Sequence, residues 1–496
     1  MPDIASPGQC DFHLLGVLHF IRRQFSCPPQ EEREFPGDPF RFSCREGFRR
    51  YLRHYVDELH RHNPKFQITS NWSFSNMMPE PVSVDLDYLS GDYDMQNSLN
   101  SARLAGRCLR HQGKPWDLMA WSLASTDLNR DPHFATKTIA QLQQEAAAVL
   151  ALGGGFQAYF QQKQDGSISP WQMRLMSEVA RFCRERQPFC HRAEPVPQIA
   201  LLYPAESAYR KFRRPFSPWA GELDGMKGVL QMLLDKQFSA DVQMDHQIRN
   251  RMGQYPLIVL PEWDFLNESL RQDLLAYVRD GGNLLLIGPQ TAALFAKELG
   301  VDFDGAKVDA QFRFLSHRGW MAPVPTAGMF SQLASGTKTF GRIYEGNDPV
   351  GSSSPAASIV NVGKGRIGAI YFNLGERYLY SRASLPAEFL CDMVRELFPL
   401  PMVEVKGGFT EVVINRVGGK LAVNLINLAG PHEDRQALVF DAVPPVGPLE
   451  IRIRQATRPA RIMLEPGHKS LEFQYRDGMA FLTLPRLEIH SVLLVE

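Results

Sequence analysis

The run Leu89-Ser90-Gly91-Asp92-Tyr93-Asp94 places two carboxylates at the close of an alternating, strand-like stretch, 81–92. A carboxyl group on such a turn, buried beside an aromatic ring, has its pKa raised and can hand a proton to a leaving group. Two carboxyl groups flanking an acetal oxygen are the usual equipment for breaking a bond between sugars. One protonates the departing oxygen; the other attacks, or activates water. Asp92, with Tyr93 next to it, is the candidate general acid, and Asp94 a candidate for holding substrate beside it. A turn aspartate also serves as a helix cap, so that role stands open for both.

Groups suited to holding a sugar lie at the ends of neighbouring strand-like segments. Tryptophan faces stack on sugar C–H surfaces, and side-chain amides bond hydroxyls. Asn71 and Trp72 close the segment 66–71, Trp121 closes 116–123, and Tyr159 and Gln161 close 156–162. Core packing competes with binding at Trp72. Asp85 and Asp87 sit on one face of the Asp92 segment, where one of them can reach the site. Asp117 lies at the far end of its segment and reads as structural. Glu206 follows an apolar run and either faces the site or caps a helix.

Other patterns exclude chemistry. Gly153-Gly154-Gly155 precedes a strand and lacks the Lys-Ser/Thr pair of a phosphate loop, so it reads as a helix stop. His60 and His62 do not have the spacing of a helical zinc pair. The seven cysteines are scattered, with no C-x-x-C, which argues against a disulfide framework or a zinc module. No cofactor and no metal is expected. Lys+Arg 54 balances Asp+Glu 54, which disfavours a dedicated nucleic-acid binder. No apolar run reaches the roughly 20 residues of a membrane span. The N-terminus has neither a basic start nor a small-residue cleavage site, so a cytoplasmic location is the expectation. The basic run Arg210, Lys211, Arg213, Arg214 reads as a solvated loop.

The elements that must position these groups follow from periodicity. Ser43 and Glu46 spell a capping box, with Phe48, Leu52, Tyr55, Val56 and Leu59 at helical spacing behind it. Strands are expected at 66–71, 81–92, 116–123 and 156–162, with a further one at 14–21. Helices are expected at 97–112, behind the Thr138/Gln141 capping box, and after Ser169-Pro170. This βα alternation predicts a parallel sheet. A Pro-rich linker, 193–198, precedes a second α/β region with strands at 198–204, 241–244, 256–261 and 283–288 and helices at 223–236, 267–279 and 385–397. That pattern is a doubly wound sheet. It has no G-x-G-x-x-G after its first strand, so no nucleotide is assigned to it. From Pro401 short strands and turns predict an antiparallel β-sandwich. The fold class is thus α/β multidomain, divided at 1–192, 193–400 and 401–496.

The stretches NPKFQITSNWSFSNMMPEPVSVDLDYLSGDYDMQNS (63–98), GKPWDLMAWS (113–122), GGGFQAYFQQ (153–162), PQIALLYPAES (197–207) and PLIVLPEWDFL (256–266) resemble bacterial α-L-fucosidase-like glycoside hydrolases. The order of the three parts is similar to β-galactosidases that carry a trimerisation domain. The resemblance implies a partial (β/α)8 barrel, a flavodoxin-like domain building a subunit interface, and the sandwich. It implies a carbohydrate substrate, an α-L-fucoside or a β-galactoside, and a homo-oligomer such as a trimer. The four strands ending near Asn71, Gly91, Ser122 and Gln161 would be barrel strands five to eight. Strands one to three would then be absent. Segment 14–21 would be strand four, where the family nucleophile is an aspartate and this chain has none. A non-catalytic remnant serving carbohydrate binding or assembly is the alternative expectation.

Overall fold

The computed structural model describes residues 39–126, 134–214, 221–303, 311–326, 330–333, 337–433 and 436–496; segment 14–21 lies outside them. The chain is mixed α/β. Helix α1 (Pro39–His62) buries Leu52 and Val56. It begins ahead of Ser43, so the Ser43/Glu46 box does not open it. Glu46 instead pairs along the helix with Arg49 and Arg53, at 2.9 and 2.8 Å. Leu59, expected on the apolar stripe, is exposed.

Three strands, β1 (Leu89–Asp92), β2 (Trp116–Trp121) and β3 (Gly155–Tyr159), form a parallel sheet in that order. Helices α2 (Ser98–Leu109), α3 (Ile139–Ala151) and α4 (Pro170–Cys190) alternate with them. Thr138 caps α3 by accepting from the Gln141 amide, and Ser169 precedes Pro170 at the start of α4, as the sequence predicts; Gln172 completes a capping box with Ser169 beyond that expectation.

The expected strand over 66–71 does not form. The segment runs extended and meets the sheet at one parallel bridge, Asn71 to Ser90. Its polar groups are satisfied otherwise: the Ile68 amide donates to the Asp87 carboxylate at 2.8 Å, and Thr69 Oγ1 donates to the Tyr88 carbonyl at 2.8 Å. Side-chain bonds of this kind compete with a regular ladder. They also shorten the expected strand at 81–92 to its last four residues.

The second region is a nine-stranded sheet. Its parallel part runs β5 (Ala240–Met244), β4 (Ile199–Tyr203), β6 (Leu257–Pro261), β7 (Asn283–Ile287) and β12 (Gly365–Ile370). These strands are largely apolar, as sheets covered on both faces require, with Asp241, Gln243, Asn283 and Arg366 as the polar exceptions. An antiparallel arm continues through β11 (Ser353–Val362), β10 (Lys338–Tyr344) and β8 (Gln311–His317) to β9 (Trp320–Thr326). Helices α5 (Asp224–Asp235), α6 (Glu268–Arg279), α7 (Gly375–Ser381) and α8 (Ser384–Leu397) belong to this region. α5 and α7 touch backbone to backbone: a Cβ at Gly228 would stand 1.8 Å from the Gly375 carbonyl oxygen.

Residues from Val403 form two antiparallel sheets, four- and six-stranded, around a shared core that includes Val405, Ile414, Leu425, Ile451 and Leu493. The stretch 193–198, expected to be only a linker, adds Glu194–Pro195 to the edge of the six-stranded sheet beside Asn415 and Arg416.

Helix α2 joins the regions. Arg103, Arg107 and Arg110 stand at helical spacing on it. Arg107 donates to Glu411 of the sandwich at 2.6 Å and to the Ala240 carbonyl at 2.7 Å. Arg103 pairs with Asp235 at 2.9 Å and with Glu411 at 2.8 Å, and Arg110 reaches Asp241 and Asn415 at 3.2 and 2.8 Å. Removing one partner from buried charge pairs like these strands the other, at a cost of ~3–5 kcal/mol.

Candidate active site

Asp92 is the last residue of β1 and is buried. Its Oδ1 accepts from Asn71 Nδ2 at 3.1 Å and from the Trp72 indole N–H. Trp72 reaches it because its backbone turns left-handed, at φ 63°, directly after the Asn71 bridge, while its amide stays bonded to the Ser90 carbonyl at 3.1 Å. A bulky residue at positive φ is uncommon and typically costs ~1–3 kcal/mol, so the surrounding contacts must hold it there.

Two influences act on the Asp92 carboxyl. Burial disfavours its ionised form and Asp94 adds repulsion; the Asn71 bond works the other way. Burial dominates, and the pKa is pushed up to about 6. Tyr93, expected to raise it, does not take part. Its hydroxyl turns to Glu145 at 2.9 Å.

A cavity of about 290 Å³ opens beside Asp92. Trp72, Asp92, Tyr93, Asp94 and Trp121 line one side of it. Asn97, Asn100, Ser101 and Leu104, on one stripe of α2 and its N-terminal end, form a second wall. Lys227, Leu230, Gln231 and Leu234 of α5 form the third, so the cavity lies between the three-stranded and nine-stranded regions. Its volume sits at the lower end of the roughly 300–1,000 Å³ usual for small-molecule sites.

The other expected residues distribute as follows. β2 and β3 register Trp121 opposite Tyr159, and their rings meet edge-on with centroids 5.3 Å apart. Trp121 lines the cavity, and Tyr159 stands behind it. Asn71 acts through Asp92 and is otherwise exposed. Asp94 is exposed at the rim and its amide donates to Ser101 Oγ at 3.0 Å. Gln161 lies beyond β3, exposed, and its carbonyl accepts from Gln172 of α4 at 3.4 Å.

Asp85 and Asp87 do not reach the site. Asp87 accepts from Ile68 and bonds His60 at 3.2 Å, and Asp85 is exposed near His60 and Lys114. Asp117 accepts from Ser90 Oγ at 2.6 Å, a structural role. Glu206 sits in the first turn of a short helix, bonded to Arg210 at 3.0 Å and Asn267 at 3.2 Å. The basic run is not simply solvated. Lys211 donates to the Glu262 carbonyl at 2.8 Å, and the Arg210 guanidinium lies 3.3 Å from the Phe265 ring centroid. The triple glycine ends α3 and also makes room for packing: a Cβ at Gly154 would stand 2.3 Å from the Trp116 ring.

Two features were not anticipated from sequence. Glu145 of α3 is fully buried and gathers Tyr93, Ser98 Oγ at 2.5 Å and Lys137 Nζ at 2.9 Å. This cluster fixes the loop that follows Asp92. The signal was a Glu in the middle of the helix with a Lys eight residues before it, just ahead of the Thr138 cap. The second is Gln231, a polar residue within the apolar run Val229 to Leu234.

Neither a family model nor a curated protein matches the sequence. Solved structures do match its fold. The alpha-L-fucosidase isoenzyme 2 from Paenibacillus thiaminolyticus superposes with a TM-score of 0.76 at 15% identity, over 97% of this chain and 74% of that one. A GH42 beta-galactosidase from G. stearothermophilus gives 0.64 at 12% identity, over 97% and 76%. The beta-galactosidase from Bacillus circulans sp. alkalophilus gives 0.62 at 13% identity, over 98% and 75%. This chain therefore has a glycoside hydrolase-like fold.

Proposed function

We propose that the chain is a glycoside hydrolase, exo-acting on α-L-fucosides or related terminal sugars, with β-galactosides as the alternative substrate. The observation that carries this is Asp92: a carboxyl group at the C-terminal end of a parallel strand, with a pKa of about 6, beside two tryptophans and a cavity of sugar size. Strand C-terminal ends are where such folds place their chemistry. A carboxyl group with that pKa is part protonated near neutrality and suits general acid catalysis. Asp92 protonates the leaving oxygen. Trp72 and Trp121 offer stacking faces, Asn71 orients Asp92, Asp94 bonds a hydroxyl at the rim, and Tyr159 backs Trp121. No cofactor is needed for this chemistry.

In this reading the three regions are a partial barrel (1–192), a flavodoxin-like assembly unit (193–400) and a sandwich (401–496). The molecule works in the cytoplasm as a homo-oligomer, such as a trimer, which light scattering tests by mass. Among the described residues no helix is long and apolar enough to cross a membrane.

One observation favours a second reading, a carbohydrate-binding protein without activity. Both donors on Asp92 converge on Oδ1 and favour its ionised form, as they would for a structural carboxylate. A panel of nitrophenyl glycosides, led by α-L-fucoside and β-D-galactoside, with Asp92→Asn beside the wild type, decides between them. Hydrolysis that Asp92→Asn abolishes supports the enzyme. A folded wild type that hydrolyses none of them supports the binding protein.

A further inference from the structure

Gln231 sits in the middle of α5, on the stripe that also carries Lys227, Leu230 and Leu234 and forms one wall of the Asp92 cavity. It is 4% exposed, yet neither its Nε2 nor its Oε1 has a hydrogen-bond partner within the protein. Burying an amide without partners is unfavourable, and a leucine would fill the same space without that cost. Helix α5 is also held rigidly, because Gly228 lets it contact the α7 backbone. The side chain is therefore presented to the cavity from a fixed support, with one donor group and one acceptor unused.

We propose that Gln231 is a specificity-determining residue that reads adjacent hydroxyl groups of a single sugar ring bound in this cavity. An amide donates through Nε2 and accepts through Oε1, and two neighbouring hydroxyls offer the complementary pair. Arg103, which also lines the cavity, has an Nη2 that makes no hydrogen bond and supplies a further donor. The doubly wound region then contributes to ligand recognition, not only to assembly. The inference deepens the glycosidase reading and takes its ligand class from it. A site that bonds hydroxyls rejects analogues lacking them far more strongly than an apolar pocket rejects an extra group.

The test is calorimetric binding of L-fucose and of D-galactose to the full chain, comparing wild type, Gln231→Leu and Asp92→Asn. The wild type should bind at least one of the two sugars, one per chain. Gln231→Leu should bind it at least 10-fold more weakly, with an unliganded Tm equal to or above wild type. Asp92→Asn should retain binding. Equal affinity in Gln231→Leu, or a wild type that binds neither sugar, overturns the inference. A lower Tm in Gln231→Leu also overturns it, because that marks a packing role. The glycoside panel separates the two claims. Hydrolysis with Gln231-independent binding leaves the glycosidase reading standing alone, and Gln231-dependent binding without hydrolysis leaves only the inference.

Discussion

Asp92 and Glu262 occupy equivalent places in the two parallel sheets. Each carboxyl group stands at the C-terminal end of a strand, each is buried, and burial raises each pKa. Their partners differ. Glu262 accepts from the backbone amides of Leu374 and Gly375, both at 2.7 Å, at the start of α7. Negative charge is favoured at a helix N-terminus, and backbone amides cannot turn away. Asp92 is held by the side chains of Asn71 and Trp72 and borders a cavity lined by Trp72 and Trp121. A buried, pKa-shifted carboxylate is thus a poor guide to function by itself. Each is also bonded by an asparagine side chain, Asn71 for Asp92 and Asn373 for Glu262; the two differ in the backbone amides that clamp Glu262 and the two tryptophans that stand beside Asp92.

Substitution at the two positions should separate them. The largest effect is expected in Asp92→Asn, which should lower kcat by about 10²–10⁴-fold on any glycoside the wild type cleaves, the usual range for a general acid. Steady-state kinetics on a folded variant checks this. Glu262→Ala should leave kcat unchanged at permissive temperature but lower stability by about 2–6 kcal/mol, from ~1–3 kcal/mol for each of two stranded amides. Urea unfolding reads it, and loss of activity without loss of stability would invert the comparison.

The pH dependence of stability sharpens it next. The Asp92 pKa is raised in the folded chain, so its protonated form supports the fold. That contribution is full below about pH 4 and is lost as pH rises through about 6. Relative to Asp92→Asn, the wild type should lose on the order of 3 kcal/mol between pH 4 and 7, at 1.36 kcal/mol per pH unit. Parallel unfolding curves at the two pH values would show no such loss if Asp92 were an ordinary solvated carboxylate. The smallest effect concerns the scaffold: Thr138→Ala removes the α3 cap and should cost ~1 kcal/mol, measured by Tm, with no change in KM.

Much of this architecture is legible in local sequence. The Thr138 and Ser169 caps and the largely apolar strands 199–203, 257–261 and 283–287 all follow from patterns a few residues long, whereas Asp92, expected on a turn, closes β1. What escaped depends on partners distant in sequence. The 66–71 segment meets the sheet at the single Asn71 bridge because Asp87 claims the Ile68 amide. Tyr93 turns from Asp92 because Glu145, 52 residues on, accepts its hydroxyl. Gln161 falls outside the site because β3 ends two residues earlier. Gln231 belongs to the site only because α2 and α5 close on one cavity, which no local pattern records.

The pH profile of kcat/KM on the best nitrophenyl glycoside tests the central claim most directly. With Asp92 as the acid, the rate should fall on the alkaline limb with an apparent pKa near 6, and that limb should vanish in whatever activity Asp92→Asn retains. A profile flat from pH 5 to 8, or an unchanged alkaline limb in Asp92→Asn, would contradict it.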